Sequence, residues 1–177
     1  MTMKLYHTGK AEIPSPDIHH GRVNADFGQG FYLTPDADFT YRWAQRDAVV
    51  NEYELDLTGL RVHQFQRDGA WFDYIFHNRR AVDTLDADVI IGPIANDTIF
   101  DTFGILSSGF VKPEAALQLL MIGPEYTQVA VKTERAAAQL KWTGAKIVTD
   151  VAEHREALKA EVAQYAKRFG EEAERVL

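Results

Sequence analysis

The stretch Asp26-Phe27-Gly28-Gln29-Gly30-Phe31-Tyr32-Leu33-Thr34 is the part of the sequence that decides the fold. Its two glycines, one residue apart, predict a tight turn, because glycine adopts positive φ angles without steric cost. The aromatic and apolar residues that follow predict a strand. A dinucleotide-binding GxGxxG motif would need a third glycine and a helix after the turn, and this stretch has neither. It therefore predicts a turn that leads directly into a strand.

Strands and helices are predicted on both sides of this stretch. Upstream, an apolar run over residues 3–7 predicts a first strand. Downstream, apolar and polar residues alternate over 49–57, and the turn Thr58-Gly59 followed by 60–65 predicts a hairpin. Further patterns predict helices over 36–48, 69–82, 113–121 and 134–140, and strands over 88–93, 127–131 and 146–148. Periodicity alone thus predicts a mixed α and β chain.

The end of the chain predicts one long helix. Asp150 is a suitable N-cap, and Glu153 follows at the capping-box offset. Apolar residues then recur at spacings of seven, four and three, at Val151, Leu158, Val162, Tyr165, Phe169 and Val176. This stripe is typical of a helix that packs on a domain, and a dimer or partner seam is the alternative. We therefore expect one domain over 1–149, with a helix over 150–177 packed on it.

Composition excludes several classes of function. The chain has 177 residues, of which 46% are hydrophobic, enough for a single core. Its formal charge of -7 argues against sequence-independent binding of nucleic acid. The absence of cysteine excludes disulfides, thiolate zinc sites and a cysteine nucleophile, and the His19-His20 pair lacks metal-ligand spacing. No signal peptide or membrane span is visible, so a cytoplasmic protein without membrane contact is expected.

Five segments together indicate a family. They are Leu5-Tyr6-His7-Thr8-Gly9, the stretch over 26–34, Trp43-Ala44, the helix over 71–79 that ends in Asn78-Arg79, and Asp88–Pro93 with Ala95-Asn96-Asp97. In this order, over about residues 4–140, they resemble the ADP-ribosyltransferase superfamily of the His-Tyr-Glu type. Within it, they resemble a small bacterial family known as a domain of unknown function.

The resemblance implies an α+β fold of the ADP-ribosyltransferase kind. Its core would be a split, mainly antiparallel β-sandwich with flanking helices, and the long C-terminal helix would lie outside it. NAD+ would bind as a substrate in a cleft between the two small sheets. The resemblance implies no metal.

The resemblance also implies three catalytic residues. His7 would hydrogen-bond a ribose hydroxyl of NAD+, and Tyr32 would stack on the nicotinamide ring. Gln128 would bind the 2′-hydroxyl of the nicotinamide ribose, at the position where well-known members have glutamate. An amide can make that hydrogen bond but cannot supply negative charge to an oxocarbenium-like transition state. Glu125 is the alternative residue for this position.

A wider set of residues is expected to contact NAD+, namely His7, Thr8, Gly9, Gly30, Phe31, Tyr32 and Arg79. Arg79 would hold the pyrophosphate through two guanidinium nitrogens, and a buried ion pair is the alternative. For Asp97 a helix cap, a substrate-side base and a loop residue all remain open.

The function implied by the resemblance is mono-ADP-ribosylation of a macromolecular acceptor, either protein or nucleic acid. By analogy, the protein would be the toxin or effector of a bacterial toxin–antitoxin or defence system, with an antitoxin protein as a partner. An NAD glycohydrolase is one alternative. A catalytically silent module that binds NAD or a partner is another, favoured by glutamine at position 128.

Overall fold

The computed structural model describes residues 1–42, 44–95 and 112–176. Over these ranges the strands are β1 Thr2–Gly9, β2 Phe31–Leu33, β3 Val49–Asp56, β4 Val62–Gln64, β5 Val89–Pro93, β6 Thr127–Val131 and β7 Leu140–Ile147. The helices are α1 Ala37–Arg42, α2 Gly69–Asn78, α3 Pro113–Leu120, α4 Glu134–Ala138 and α5 Val151–Val176. The predicted mixed α+β class, including the long C-terminal helix, is confirmed. Trp43, Asn96 and Asp97 lie outside the described residues.

The strands form two sheets. The first has the order β1-β3-β7, and the second has the order β2-β6-β5-β4. All neighbouring strands are antiparallel except β4 and β5, which are parallel. The sheets meet where β1 passes β2, since Tyr6 and Thr34 exchange backbone hydrogen bonds of 2.8 and 2.9 Å. This junction places the end of β1 beside the strand that follows the glycine turn.

The two central strands of the second sheet, β5 and β6, are buried on both faces. Alternate residues of β5 and β6 pack in one core with Leu5, Tyr53 and Leu55 of the first sheet, and this core contains Val89, Ile91, Val129 and Val131. The intervening Ile90 and Ala130 pack with Phe27 and with Trp71 and Ile75 of α2. All five residues of β5 are buried, as the continuous apolar run predicts.

The predicted hairpin of 49–57 with 60–65 is wrong. The turn itself forms, and Gly59 has a φ of 73°, but the chain after it crosses to the other sheet. There β4 pairs with β5, and Val62 is 39% exposed rather than buried. The physical reason is that β3 is the central strand of its sheet, so β1 and β7 already occupy both of its edges.

Three predicted element boundaries also differ from the structure. Helix α1 ends at Arg42, and the chain before β3 forms a turn in which Asp47 has a φ of 62°. Helix α2 ends at Asn78, shortly before Ala81 with a φ of 58°. Leu140 begins a strand of eight residues instead of ending a helix. The first two are backbone turns at non-glycine residues, which composition does not signal.

The C-terminal helix α5 lies against α1 and α3. The His154 ring stacks on Tyr41 with ring centroids 5.2 Å apart. Near its middle, the Tyr126 hydroxyl and a Glu161 carboxylate oxygen are 2.7 Å apart. No residue of this helix is fully buried, although its apolar stripe is half-buried. Neither α5 nor any other helix in the described ranges is long and apolar enough to cross a membrane.

Candidate functional site

A cavity of about 790 Å³ opens at the junction of the two sheets. Its walls come from the end of β1, the loop before the glycine turn, β2, α1, the C-terminal end of α2, β6 and the segment after β5. A volume of this size suits a small organic ligand such as a nucleotide. Five of the predicted site residues line it, and they are His7, Thr8, Tyr32, Arg79 and Gln128.

His7 projects from β1 into this cavity with its two ring nitrogens in different roles. Its Nδ1 lies 2.7 Å from the backbone oxygen of Tyr32. Because a carbonyl oxygen can only accept, Nδ1 must carry the proton, which leaves Nε2 of the neutral ring as an acceptor. Burial lowers the pKa of His7, an effect that the hydrogen bond to Tyr32 opposes only in part. The ring is therefore neutral at pH 7 and offers a lone pair to a hydroxyl donor.

Phe31 fixes the orientation of this histidine ring. The two ring centroids are 4.4 Å apart with an interplanar angle of 32°. Phe31 itself is 8% exposed and does not line the cavity. Its contribution to the site is through the packing of His7.

Tyr32 lines the cavity, whereas its hydroxyl group hydrogen-bonds the backbone of the glycine turn. The hydroxyl donates to the Gly28 oxygen at 2.7 Å and accepts from the Phe27 backbone nitrogen at 2.8 Å. Burial raises the pKa of Tyr32 well above its usual value, so the hydroxyl keeps its proton. With both hydrogen-bonding roles filled, Tyr32 can offer a ligand its ring but not its hydroxyl.

The turn that anchors Tyr32 requires glycine at position 28. Gly28 has a φ of 78°, and a Cβ there would lie 2.8 Å from Asn78 Oδ1 and 2.8 Å from Asp83 Oδ2. Behind it, the Lys132 ammonium forms an ion pair with Asp83. The turn is thus held between a polar cluster on one side and the Tyr32 hydroxyl on the other.

Gln128 of β6 reaches the cavity as part of a three-residue network. Its Nε2 lies 3.3 Å from the Pro93 oxygen and 3.4 Å from Asp26 Oδ2. The other oxygen of Asp26 accepts from Arg79 Nε at 2.9 Å and from a terminal nitrogen of Arg79 at 2.7 Å. Glu125, the alternative for the third catalytic position, is exposed and does not line the cavity.

This network contains a residue that the sequence reasoning missed. Asp26 is the one carboxylate among the described residues that line the cavity. It lies 53 residues from Arg79 and 102 residues from Gln128 in the sequence, so no local spacing links the three. Its place at the start of the Asp-Phe-Gly stretch is the single sequence signal that could have drawn attention to it.

Two glycines predicted to contact NAD+ do not line the cavity. Gly30 lies where a Cβ would be 2.7 Å from the Val131 oxygen, so glycine there permits close packing of backbone against β6. Gly9 follows Thr8 at the end of β1 and lies at a neighbouring depression. Thr8 does line the cavity, and its hydroxyl donates to the Thr40 oxygen of α1 at 2.9 Å.

The structure and the comparisons together define the class of this protein. It is a mixed α+β chain of two small sheets whose junction holds a cavity lined by histidine, tyrosine, glutamine and an aspartate–arginine pair. Residues 3–142 match the family described as a protein of unknown function, DUF3990. The chain belongs to that family, which confirms the prediction of a small family of unknown function. No curated protein and no solved structure matches the chain.

Proposed function

We propose that the protein is a mono-ADP-ribosyltransferase that uses NAD+ as its substrate. The observation that supports this proposal is the convergence of His7, Tyr32 and Gln128 on one cavity from three separate strands. From the sequence resemblance, we expect each of these residues to contact the nicotinamide riboside half of NAD+. Their chemistry suits that role, since they offer a lone pair, an aromatic ring and an amide.

The proposed reaction breaks the bond between C1′ of the ribose and the nicotinamide nitrogen. The electron pair of that bond leaves with the nicotinamide, which becomes neutral, and the ribose becomes oxocarbenium-like. A nucleophilic oxygen or nitrogen of the acceptor then forms the new bond to C1′ and gives up its proton to solvent. Stacking on Tyr32 would orient the leaving ring, and a ribose hydroxyl would donate to His7 Nε2.

Negative charge near C1′ would stabilise this transition state. Gln128 cannot supply it, but its amide lies 3.4 Å from the Asp26 carboxylate. The two residues would then together replace the single glutamate of well-known members, since Gln128 would bind the ribose hydroxyl and Asp26 would supply the negative charge. This arrangement supports an active enzyme over the silent binding module.

The test is incubation of the purified protein with NAD+ labelled in the adenylate half and a cell lysate, with and without nuclease or protease. We expect label in a macromolecule, and loss of label with His7→Ala and with Tyr32→Ala. Arg155→Ala is the matched control, because Arg155 is exposed on α5 away from the cavity. Retention of full labelling by a folded His7→Ala protein would refute the site.

Two other outcomes select the alternatives. Free labelled ADP-ribose without labelled macromolecule would identify an NAD glycohydrolase, in which water is the acceptor. No release of nicotinamide at any enzyme concentration would select the silent module. The toxin role and the antitoxin partner rest on analogy and stay predictions.

A further inference from the structure

The cavity has two arginines, and they differ in what they already bind. Arg79 gives two nitrogens to one oxygen of Asp26, and both side chains are largely covered, at 25% and 18% exposure. Moving this guanidinium onto a ligand would leave the Asp26 carboxylate without its cation. Such a loss from a partly buried pair is costly.

Arg22 lines the same cavity and is exposed. Over the described part of the chain, its guanidinium has no acidic partner and no side-chain hydrogen bond. All N–H donors of such an unpaired guanidinium are available, and two of them can bind two oxygens of one phosphate. Arg22 is therefore the cavity cation that can bind an anion without breaking an existing pair.

The backbone next to Arg22 is braced. Gly21 packs so closely on the Gly30 backbone that a Cβ would lie 2.6 Å from the Gly30 oxygen. The Gln29 side chain donates to the backbone oxygens of His19 and Gly21, at 2.9 and 3.0 Å. The glycine turn thus fixes the chain directly before Arg22. A cation on a fixed backbone loses less entropy when it binds a ligand.

We propose that Arg22, rather than Arg79, binds the diphosphate of the dinucleotide, and that Arg79 is a structural partner of Asp26. This inference rests on the proposed function and deepens it, because it assigns the diphosphate end of the same cavity. Electrostatics support it, since Asp26 and Arg79 balance each other's charge, and Arg22 is the remaining charged side chain among the described residues that line the cavity. A diphosphate, which carries two negative charges, would therefore be attracted mainly by Arg22.

The experiment compares ligands with and without the diphosphate. NAD+, ADP-ribose and nicotinamide riboside are titrated by calorimetry into wild type, Arg22→Ala, Arg22→Lys and the control Arg155→Ala. We expect Arg22→Ala to weaken NAD+ and ADP-ribose by about 10- to 100-fold, the usual worth of a charge-assisted hydrogen-bonded contact. Nicotinamide riboside should bind all four proteins equally. Arg22→Lys should recover part of the lost affinity, because lysine keeps the positive charge but lacks the paired N–H donors of the guanidinium group.

The structural role of Arg79 has its own readout. Arg79→Ala should lower the midpoint of thermal unfolding, whereas Arg22→Ala should leave it unchanged. The inference is overturned if Arg22→Ala binds NAD+ as wild type does, if it weakens nicotinamide riboside equally, or if wild type binds none of the three ligands.

Failure of this inference differs from failure of the proposed function. If ADP-ribose binds through Arg22 but nicotinamide is never released from NAD+, the transferase is refuted and the diphosphate assignment stands. If wild type and Arg22→Ala turn over NAD+ with the same KM, the assignment to Arg22 is refuted and the transferase stands.

Discussion

The substitution Tyr32→Phe separates the two roles of this residue, because it deletes the hydroxyl and keeps the ring. The hydroxyl makes two hydrogen bonds to the turn, one to the Gly28 oxygen and one from the Phe27 nitrogen. Each is worth about 0.5–1.5 kcal/mol net, so their joint loss costs about 2 kcal/mol. For a chain of this length, that lowers the midpoint of thermal unfolding by about 4–8 °C.

The effect of Tyr32→Phe on ligand binding should be much smaller than its effect on stability. Phenylalanine keeps a ring that can stack on nicotinamide, so we expect the affinity for NAD+ at 20 °C to stay within about threefold of wild type. Tyr32→Ala removes the ring as well, and we expect it to weaken NAD+ by about 10-fold or more. Circular dichroism during heating and calorimetric titration of NAD+ measure the two quantities separately.

Either of two results would refute this reasoning. An unchanged unfolding midpoint for Tyr32→Phe would show that the hydroxyl does not hold the turn. Equal losses of NAD+ affinity in folded Tyr32→Phe and Tyr32→Ala would show that the hydroxyl, and not the ring, meets the ligand.

Three further predictions concern the turn and the cavity. Gly28→Ala should cost more than about 2 kcal/mol in urea unfolding, from its positive φ and the 2.8 Å contacts of a Cβ. The control Gly170→Ala, in open space on α5, should gain about 0.5–1 kcal/mol. Because burial lowers the pKa of His7, the unfolded chain binds more protons than the folded one below about pH 6.5. The free energy of unfolding and the affinity for NAD+ should therefore both fall as the pH drops below 6.5. His7→Asn should abolish the part of this pH dependence that comes from His7, as measured by urea unfolding and by NAD+ titration at several pH values. Asp26→Asn should lower the rate of nicotinamide release at saturating NAD+ by about 10- to 100-fold with little change in KM. An unchanged kcat in this assay would contradict the prediction.

Local pattern predicted the elements of this fold better than their partners. The fully buried strand β5 is visible in the sequence as Val89-Ile90-Ile91, because both faces of such a strand are covered. Strand β3 is equally visible as an alternating pattern. Alternation shows that one face is buried but carries no information about which strand lies beside it, so the hairpin prediction failed. The true partners, β1 and β7, are set by tertiary packing.

The site was predictable where a residue belongs to a segment that carries the resemblance, and not where its role depends on a distant partner or on the cavity itself. The roles of His7 and Tyr32 were assigned through the resemblance of the combined segments, and both residues line the cavity. For Arg79 the sequence left phosphate binding and an ion pair open, because the ion-pair partner that the structure shows, Asp26, lies 53 residues away. Arg22 carried no signal at all, since an exposed arginine in a loop is ordinary until the cavity beside it is known.

The Asp26–Gln128 contact changes what a glutamine at position 128 implies. Taken alone, an amide in place of a carboxylate argues for a protein that binds NAD without cleaving it. In the folded chain, however, the amide donates toward Asp26 and Pro93, so its nitrogen is turned to these acceptors. Its oxygen accepts no hydrogen bond from the described residues and, under the proposed function, would accept one from a ribose hydroxyl. Under the proposed function, neighbouring side chains would then carry the charge and the hydroxyl binding, and catalysis would depend on the carboxylate in the cavity rather than on the residue type at position 128.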